Sequence, residues 1–317
     1  MSFIGRRLII TFLTLLLVSI FTFGAFRLIP GDAALLSLGI EATQEQIDAL
    51  TIEMGLHKSL PEQYLSWLGK FITGQLGNSA RFRGASISGI IMERLPVTFA
   101  LAGISFIMII LIAIPVSVFS VKKETSVSNR IITTLTAINI SMPGFFLGVL
   151  CIWIFGIFFK LFVPGAFVSF RENPAAFFGY LIFPALAIAL PNAAIVIKFL
   201  RSSIFRELIS DYVRTARSKG ASRTITLRRH VLKNASLPII TILGMITGEI
   251  FSGSIVIEQV FGIPGIGRLL ISSIMARDYN MIETLMICIA FIVILANTTA
   301  DIVLQIIDPR IRLSKKV

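Results

Sequence analysis

Six stretches of the 317-residue chain carry few charges and are dense in Leu, Ile, Val and Phe: Leu8–Leu28, Val97–Val121, Ile132–Phe159, Phe178–Leu200, Leu237–Ile257 and Met281–Ile307. Each reaches the roughly 17–25 residues that a helix needs to cross the hydrocarbon core of a bilayer. The pattern predicts an all-α polytopic membrane protein with six transmembrane helices. Ser141-Met142-Pro143-Gly144 falls near the middle of the third stretch, and Pro184 and Pro191 lie in the fourth. A proline removes a backbone donor and crowds the preceding turn, so kinks are predicted in both. In the fifth stretch Gly244, Gly248 and Ser252 recur every four residues, the spacing that lets helix backbones approach closely. Arg6-Arg7 precede the first stretch. It exceeds the roughly 7–15 residues of a signal-peptide core, and no small-x-small cleavage pattern follows, so it reads as an uncleaved anchor.

Composition agrees. The chain is 55% hydrophobic and 15% charged, with a mean hydropathy of +0.88, whereas soluble domains hold about 25% charged residues. The net charge of +12 raises the question of nucleic acid, and the placement of the charges answers it. Of 29 Lys and Arg, 19 fall on one side of the predicted spans: Arg6, Arg7, Lys122, Lys123, Arg130, ten between Lys198 and Lys233, and Arg310, Arg312, Lys315 and Lys316. The positive-inside rule then puts both termini in the cytoplasm. The basic balance is a topology signal, and no nucleic-acid partner is expected. Cys151 and Cys288 lie inside predicted spans and His57 and His230 on opposite sides of the membrane, so no disulfide framework, metal cluster or nucleophile–base pair is legible.

Two segments outside the spans have structure of their own. Residues 29–96 form an outer segment. In it Thr43-Gln44-Glu45-Gln46 resembles a capping box, with Ile47, Leu50 and Met54 at helical spacing and Gly55 as a stop. A second amphipathic helix runs from Pro61 through Tyr64, Leu65, Leu68, Phe71 and Ile72 to Gly74. The segment fits a cap that shields the bundle as well as a docking surface for an extracytoplasmic partner. On the cytoplasmic side, apolar pairs from Phe199-Leu200 to Tyr212-Val213 recur at intervals of four or five residues and extend the fourth span as an amphipathic helix. Gly220 offers a stop, Ser222 a new N-cap, and Ile225–Lys233 a short basic helix. The resulting knuckle suits a cleft on another protein, and equally a basic surface on anionic membrane lipid.

At this knuckle the sequence resembles the EAA loop of ABC-importer permeases, in the form typical of dipeptide and oligopeptide systems. The segment Asp211-Tyr212-Val213-Arg214-Thr215-Ala216-Arg217-Ser218-Lys219-Gly220-Ala221-Ser222, followed by Arg229-His230-Val231-Leu232-Lys233-Asn234-Ala235, carries the likeness. In the pattern E-A-A-x3-G-x9-I-x-L-P the triplet matches Arg214-Thr215-Ala216 and the glycine Gly220. The chain departs at the end of the pattern, with Lys233 in the proline's place and Pro238 as the next proline. Further matches run along the chain: Arg6-Arg7-Leu8, Leu28-Ile29-Pro30-Gly31-Asp32, Gly55-Leu56, Gln63-Tyr64, Leu76-Gly77, Ser79, Ser141, Pro143, Phe145, Gly148, Glu258, Phe261, Pro264-Gly265-Ile266-Gly267-Arg268, Arg277-Asp278-Tyr279, Asn297, Asp301 and Asp308-Pro309-Arg310.

The resemblance implies a type I ABC importer permease fold, the first of two permease subunits that pair as a heterodimer. Residues 1–95 would form the anchor helix and outer segment, 96–310 the permease domain with its coupling loop at 201–235, and 311–317 a cytoplasmic tail. The expected setting is the bacterial inner membrane, with an extracytoplasmic substrate-binding protein and one or two ATPase subunits as partners. No phosphate-binding loop of the form G-x-x-x-x-G-K-[ST] occurs. The chain is therefore expected to bind no cofactor and to be no enzyme, ATP and Mg belonging to the partner ATPases. Asp211, Arg214, Thr215, Ala216, Gly220, Ala221, Arg229, His230 and Asn234 are assigned to coupling. Ser141, Pro143, Glu249, Glu258, Pro264, Gly265, Gly267, Asn297 and Asp301 are assigned to the translocation path or its gate. Short peptides are the expected cargo, with nickel chelates, glutathione or another small solute as alternatives. The reading from another class is an ion-coupled secondary transporter, for which Glu249 and Asp301 are the candidate mid-membrane carboxylates.

Overall fold

A computed structural model describes residues 3–28, 43–45, 51–52, 58–79, 81–82, 84–122 and 126–307. Among these the regular elements are helical, and one isolated antiparallel bridge joins Asn78 and Ser86. The helix read over Thr43–Gly55 lies largely outside the described residues, as does the C-terminal tail. The chain packs as two units. One comprises Met1–Phe99 with Ile263–Leu295, the other Ala100–Gly262 with Ala296–Val317.

In the first unit, α1 (Phe3–Arg27) is the anchor helix, and α2 (Leu60–Ile72) packs along its last turns. α2 starts from a reciprocal capping box: Ser59 Oγ meets the N3 backbone and Glu62 reaches back to the Ser59 N–H at 3.1 Å. The two helices are joined by aromatic and polar contacts. Phe23 meets the Tyr64 and Trp67 rings at 5.5 and 5.8 Å, the Ser19 hydroxyl lies 2.7 Å from that of Tyr64, and Arg27 Nε donates to Gln63 Oε1 at 2.9 Å. α2 is thus docked on α1. The unit also holds the first turns of α3 (Ile87–Lys122), together with α9 (Ile266–Met275) and the first half of α10 (Tyr279–Ile307). Ile87, Ile263, Leu269, Met281 and Leu285 are buried at its core. Asp278 ties its segments together, accepting from Ser79 Oγ and from the backbone N–H of Arg81 and Met281.

The second unit is built on α6 (Pro174–Leu208), which packs against α4 (Val127–Ser141), α5 (Gly144–Cys151) and α8 (Leu237–Phe261). Buried alanines at 185, 187, 189, 193 and 194 keep the surface of α6 low, which permits close helix approach. Tyr180 pins the far end of this packing: its hydroxyl donates to the Phe261 carbonyl at 2.6 Å and accepts from the Gly165 N–H at 3.0 Å, meeting a carbonyl that the end of α8 leaves without a helical partner.

Helix boundaries exceed the apolar runs. α3 begins at Ile87, ten residues before Val97, and α6 runs on to Leu208. The reading of the third span as a kinked helix over Ile132–Phe159 is corrected. α4 ends at Ser141, and the chain bends by 111° before α5, which continues as a π-helix over Ile152–Phe158. Met142 and Pro143 are both extended, with ψ of 130° and 140°. A proline bars the helical conformation from the residue before it, so two successive residues leave the helix. At Pro184 and Pro191, by contrast, α6 stays helical throughout. Five described helices are long and apolar enough to cross a membrane, six when the bent pair counts as one span.

Candidate functional site

The knuckle is built from three helical pieces. α7 (Asp211–Ser218) follows α6 after only Ile209 and Ser210. The basic run consists of Arg223–Ile225, the π-helical Thr226–Val231 and Leu232–Ala235, and Ser236 alone separates it from α8. Between α7 and the basic run the chain reverses at Gly220, where φ is +87°. Gly220 N–H donates to the Arg217 carbonyl at 2.9 Å and Ala221 N–H to the Ala216 carbonyl at 3.2 Å. These two bonds form a Schellman closure, which requires the left-handed conformation that glycine adopts without penalty. Ser222 then caps the basic run, its Oγ accepting from the Ile225 N–H. Val213, Leu227, Val231 and Ala235 are buried and fasten the knuckle to the base of α6, where Ile204 is also buried.

A further clasp was not legible in the sequence. Tyr212 Oη donates to Glu207 Oε2 at 2.6 Å, spanning the α6–α7 joint. Burial pushes the Tyr212 phenol above its ordinary pKa, and the neighbouring Glu207 carboxylate adds to the shift, while hydrogen bonds to Asn234 and Ser210 oppose it. Above the clasp, Arg201 donates to Thr133 Oγ1 at 2.9 Å and to Asn129 Oδ1 at 3.1 Å, and Ser120 Oγ also donates to Asn129. This network joins the ends of α3, α4 and α6 beside the knuckle. The signal that could have pointed to it is an arginine directly after the apolar run of the fourth span.

Of the residues assigned to coupling, Asp211, Arg214, Thr215, Gly220, Arg229 and His230 are exposed on the knuckle, while Ala216, Ala221 and Asn234 are half-buried in it. Arg214 and Asp211 form an ion pair at 3.8 Å, with both side chains out in solvent, an arrangement that adds little stability. The residues assigned to the path are not gathered into one cluster. Ser141 and Pro143 are exposed at the α4–α5 bend. Glu249 is exposed at the middle of α8, whereas Glu258 is fully buried; nine residues apart, they point to opposite sides of the helix. Gly248 abuts the Asn297 amide, which a Cβ would meet at 2.5 Å, so this glycine serves contact with α10. Asp301 is half-buried. Pro264, half-buried, and Gly265 and Gly267, both buried, lie in the first unit. Between α8 and α9 only residues 262–265 lie outside helices, and the Ile266 N–H that opens α9 donates to Thr98 Oγ1 at 3.0 Å.

A helix–glycine–helix knuckle between two membrane spans is the geometry that the sequence motif requires. The family of binding-protein-dependent transport system inner membrane components matches residues 85–313, and the N-terminal part of such membrane components matches residues 1–102. The chain belongs to this family. As one of these components it is a multi-pass membrane permease subunit of an ABC transport system. A probable peptide ABC transporter permease protein of Sinorhizobium fredii is 33% identical over 310 residues, covering 98% of this chain and 99% of that protein. An oligopeptide transport system permease protein of Bacillus subtilis is 34% identical over 312 residues, covering 98% and 99%. A putative peptide permease protein of Brucella ovis is 34% identical over 317 residues, covering 98% of each.

Proposed function

We propose that this inner-membrane permease conducts short peptides inward as one half of a pore completed by a second permease chain. The observation that carries the reading is the likeness over 98% of the chain to permeases named for peptides. Nickel chelates, glutathione and ion-coupled transport are not favoured by it. In this reading both termini and the knuckle face the cytoplasm, an extracytoplasmic binding protein delivers the peptide, and ATP with its Mg is bound and hydrolysed on one or two partner ATPases.

Two features of the geometry fit. The exposed face of α7, with Arg214 and Thr215 beside the reversal at Gly220, is a projection that a groove on an ATPase can grip. On α8, Thr241, Met245, Glu249, Ser252 and Val256 form one exposed stripe at spacings of three and four. Glu249 has no hydrogen bond or ion pair among the described residues. A carboxylate facing lipid at mid-bilayer costs about 2.5–3.5 kcal/mol, so this stripe belongs to the path or the second permease. Asn297 lies behind it at Gly248.

Coupling is tested at Gly220. A side chain there has no atom within 4 Å to strike, but its Cβ costs about 1–2 kcal/mol in the left-handed conformation. Gly220→Val is expected to insert at near-normal levels, lose peptide uptake and retain less ATPase on mild-detergent purification. Normal uptake and normal ATPase recovery in that variant would overturn the coupling role. Recovery of the wild-type chain without any ATPase or second permease would overturn the assembly.

A further inference from the structure

The first unit holds a cavity of about 580 Å³ bounded by the end of α1, by α2 and the turn after it, and by the start of α10. Three cations line it, Arg27, Lys58 and Lys70, facing one acidic residue, Glu283. Arg27 is held in place, its Nε bonded to Gln63 and its guanidinium 4.6 Å from the centre of the Phe23 ring. Glu283 is 6% exposed, and its Oε1 is shielded from solvent with no hydrogen-bond partner among the described residues. A buried carboxylate oxygen without a donor is costly to keep. At the wall of a cavity it marks the place where a donor from outside belongs.

We propose that this cavity receives a short zwitterionic peptide, its terminal ammonium on Glu283 and its carboxylate toward Lys58 and Lys70. The proposal rests on the peptide-import reading above and adds a holding site within this chain. The other lining groups fit such an occupant. Ser66, Gln75, Asn78, Asn280 and Thr284 supply amides and hydroxyls, which suit the alternating N–H and C=O groups of a peptide backbone. A phospholipid headgroup carries the same two charges, and Trp67, Phe71 and Leu76 make part of the wall apolar, so titration with each ligand separates the two. The volume lies within the range of about 300–1,000 Å³ usual for small-molecule sites.

The chain has two tryptophans, Trp67 and Trp153, and Trp67 lines the cavity. With Trp153→Phe as background, the fluorescence of Trp67 in the purified full chain reports on the site directly. Titration with trialanine is expected to give a saturable change. N-acetyl-trialanine on the same protein, and trialanine on Glu283→Gln, are expected to bind about tenfold or more weakly, the loss typical of one charge-assisted hydrogen bond. Lys70→Ala is expected to weaken trialanine more than trialanine amide. No saturable change, or equal binding of the acetylated peptide, would overturn the site. So would a response to phosphatidylethanolamine in phosphatidylcholine nanodiscs with none to trialanine. Uptake of trialanine by cells with the intact system is scored separately. Uptake without a Trp67 response removes this site and leaves the import reading standing; a response without uptake does the reverse.

Discussion

The second unit contains two answers to the same local problem. Pro143 interrupts an apolar helical run and the chain bends by 111°, yet Pro184 and Pro191 lie in an equally apolar run and α6 remains one helix of 35 residues. Chain chemistry at the prolines is alike in each case: a missing N–H and a ring that crowds the turn before it. What differs is the surroundings. Pro184 is buried and Pro191 half-buried on a helix whose alanine face is held between α4, α5 and α8, with Ala185, Ala187 and Ala189 at 0% exposure. Pro143 is exposed, and Gly144 beyond it opens a new helix. Packing on several sides keeps a proline-bearing run in one continuous helix; without it the proline's own geometry prevails.

The largest expected effect comes from removing that packing. Ala189→Leu places three extra carbons where α6 has none to spare, and overpacking of this kind costs about 1–3 kcal/mol. The detergent melting temperature of the variant should fall well below wild type, and an unchanged melting curve would break the comparison. Next is the bend itself. Pro143→Ala restores a backbone donor, and the run should straighten toward a single span. Spin labels at the exposed Val127 and Phe158 are expected about 25 Å apart across the 111° bend and about 47 Å apart on a continuous helix, at 1.5 Å per residue. A short distance retained in Pro143→Ala would assign the bend to tertiary contacts instead. Gly148→Ala probes the α5–α8 contact, where the new Cβ would meet Ile257 Cδ1 at 3.1 Å. The tip of that isoleucine can yield, so a loss of about 1 kcal/mol is expected from the crowding, read as a small drop in melting temperature. Smallest of all, Pro191→Ala should leave the melting temperature within a few degrees of wild type and peptide uptake intact. A large change there would show that the proline shapes α6 after all.

The same contrast explains what was legible in the sequence. The spans could be placed because apolar run length is a property of the residues themselves. The reversal at Gly220 and the cap at Ser222 were legible, since a left-handed glycine after α7 and a serine cap before the next helix are local requirements; the break at Ile209-Ser210, which the apolar pairs bridge as one helix, was not. The bend at Pro143 was visible as a disturbance but not in size, because neighbours far along the chain decide whether a proline kinks or breaks a helix. The Arg201–Asn129–Thr133 network joins residues about seventy positions apart and depends on how α4 crosses α6. The π-helical turn at Thr226–Val231 has no residue signature. Ser59-Leu60-Pro61-Glu62 carries a capping signal as plain as that of Thr43–Gln46, and the structure forms the box there.

The joints of the knuckle have a mechanical consequence. Two residues separate α6 from α7, and a single helical-like residue, Ser236, separates the basic run from α8. Joints so short leave little slack, so the knuckle behaves as a crank pin held between two stiff arms. Glu249 stands thirteen residues along one arm, about 20 Å from the pivot at 1.5 Å per residue. A tilt of about 10° at the pin would swing that carboxylate through about 3–4 Å at this radius, roughly the diameter of a water molecule. In the proposed coupling, a small stroke at the knuckle would thereby be geared into a change of bore along the path.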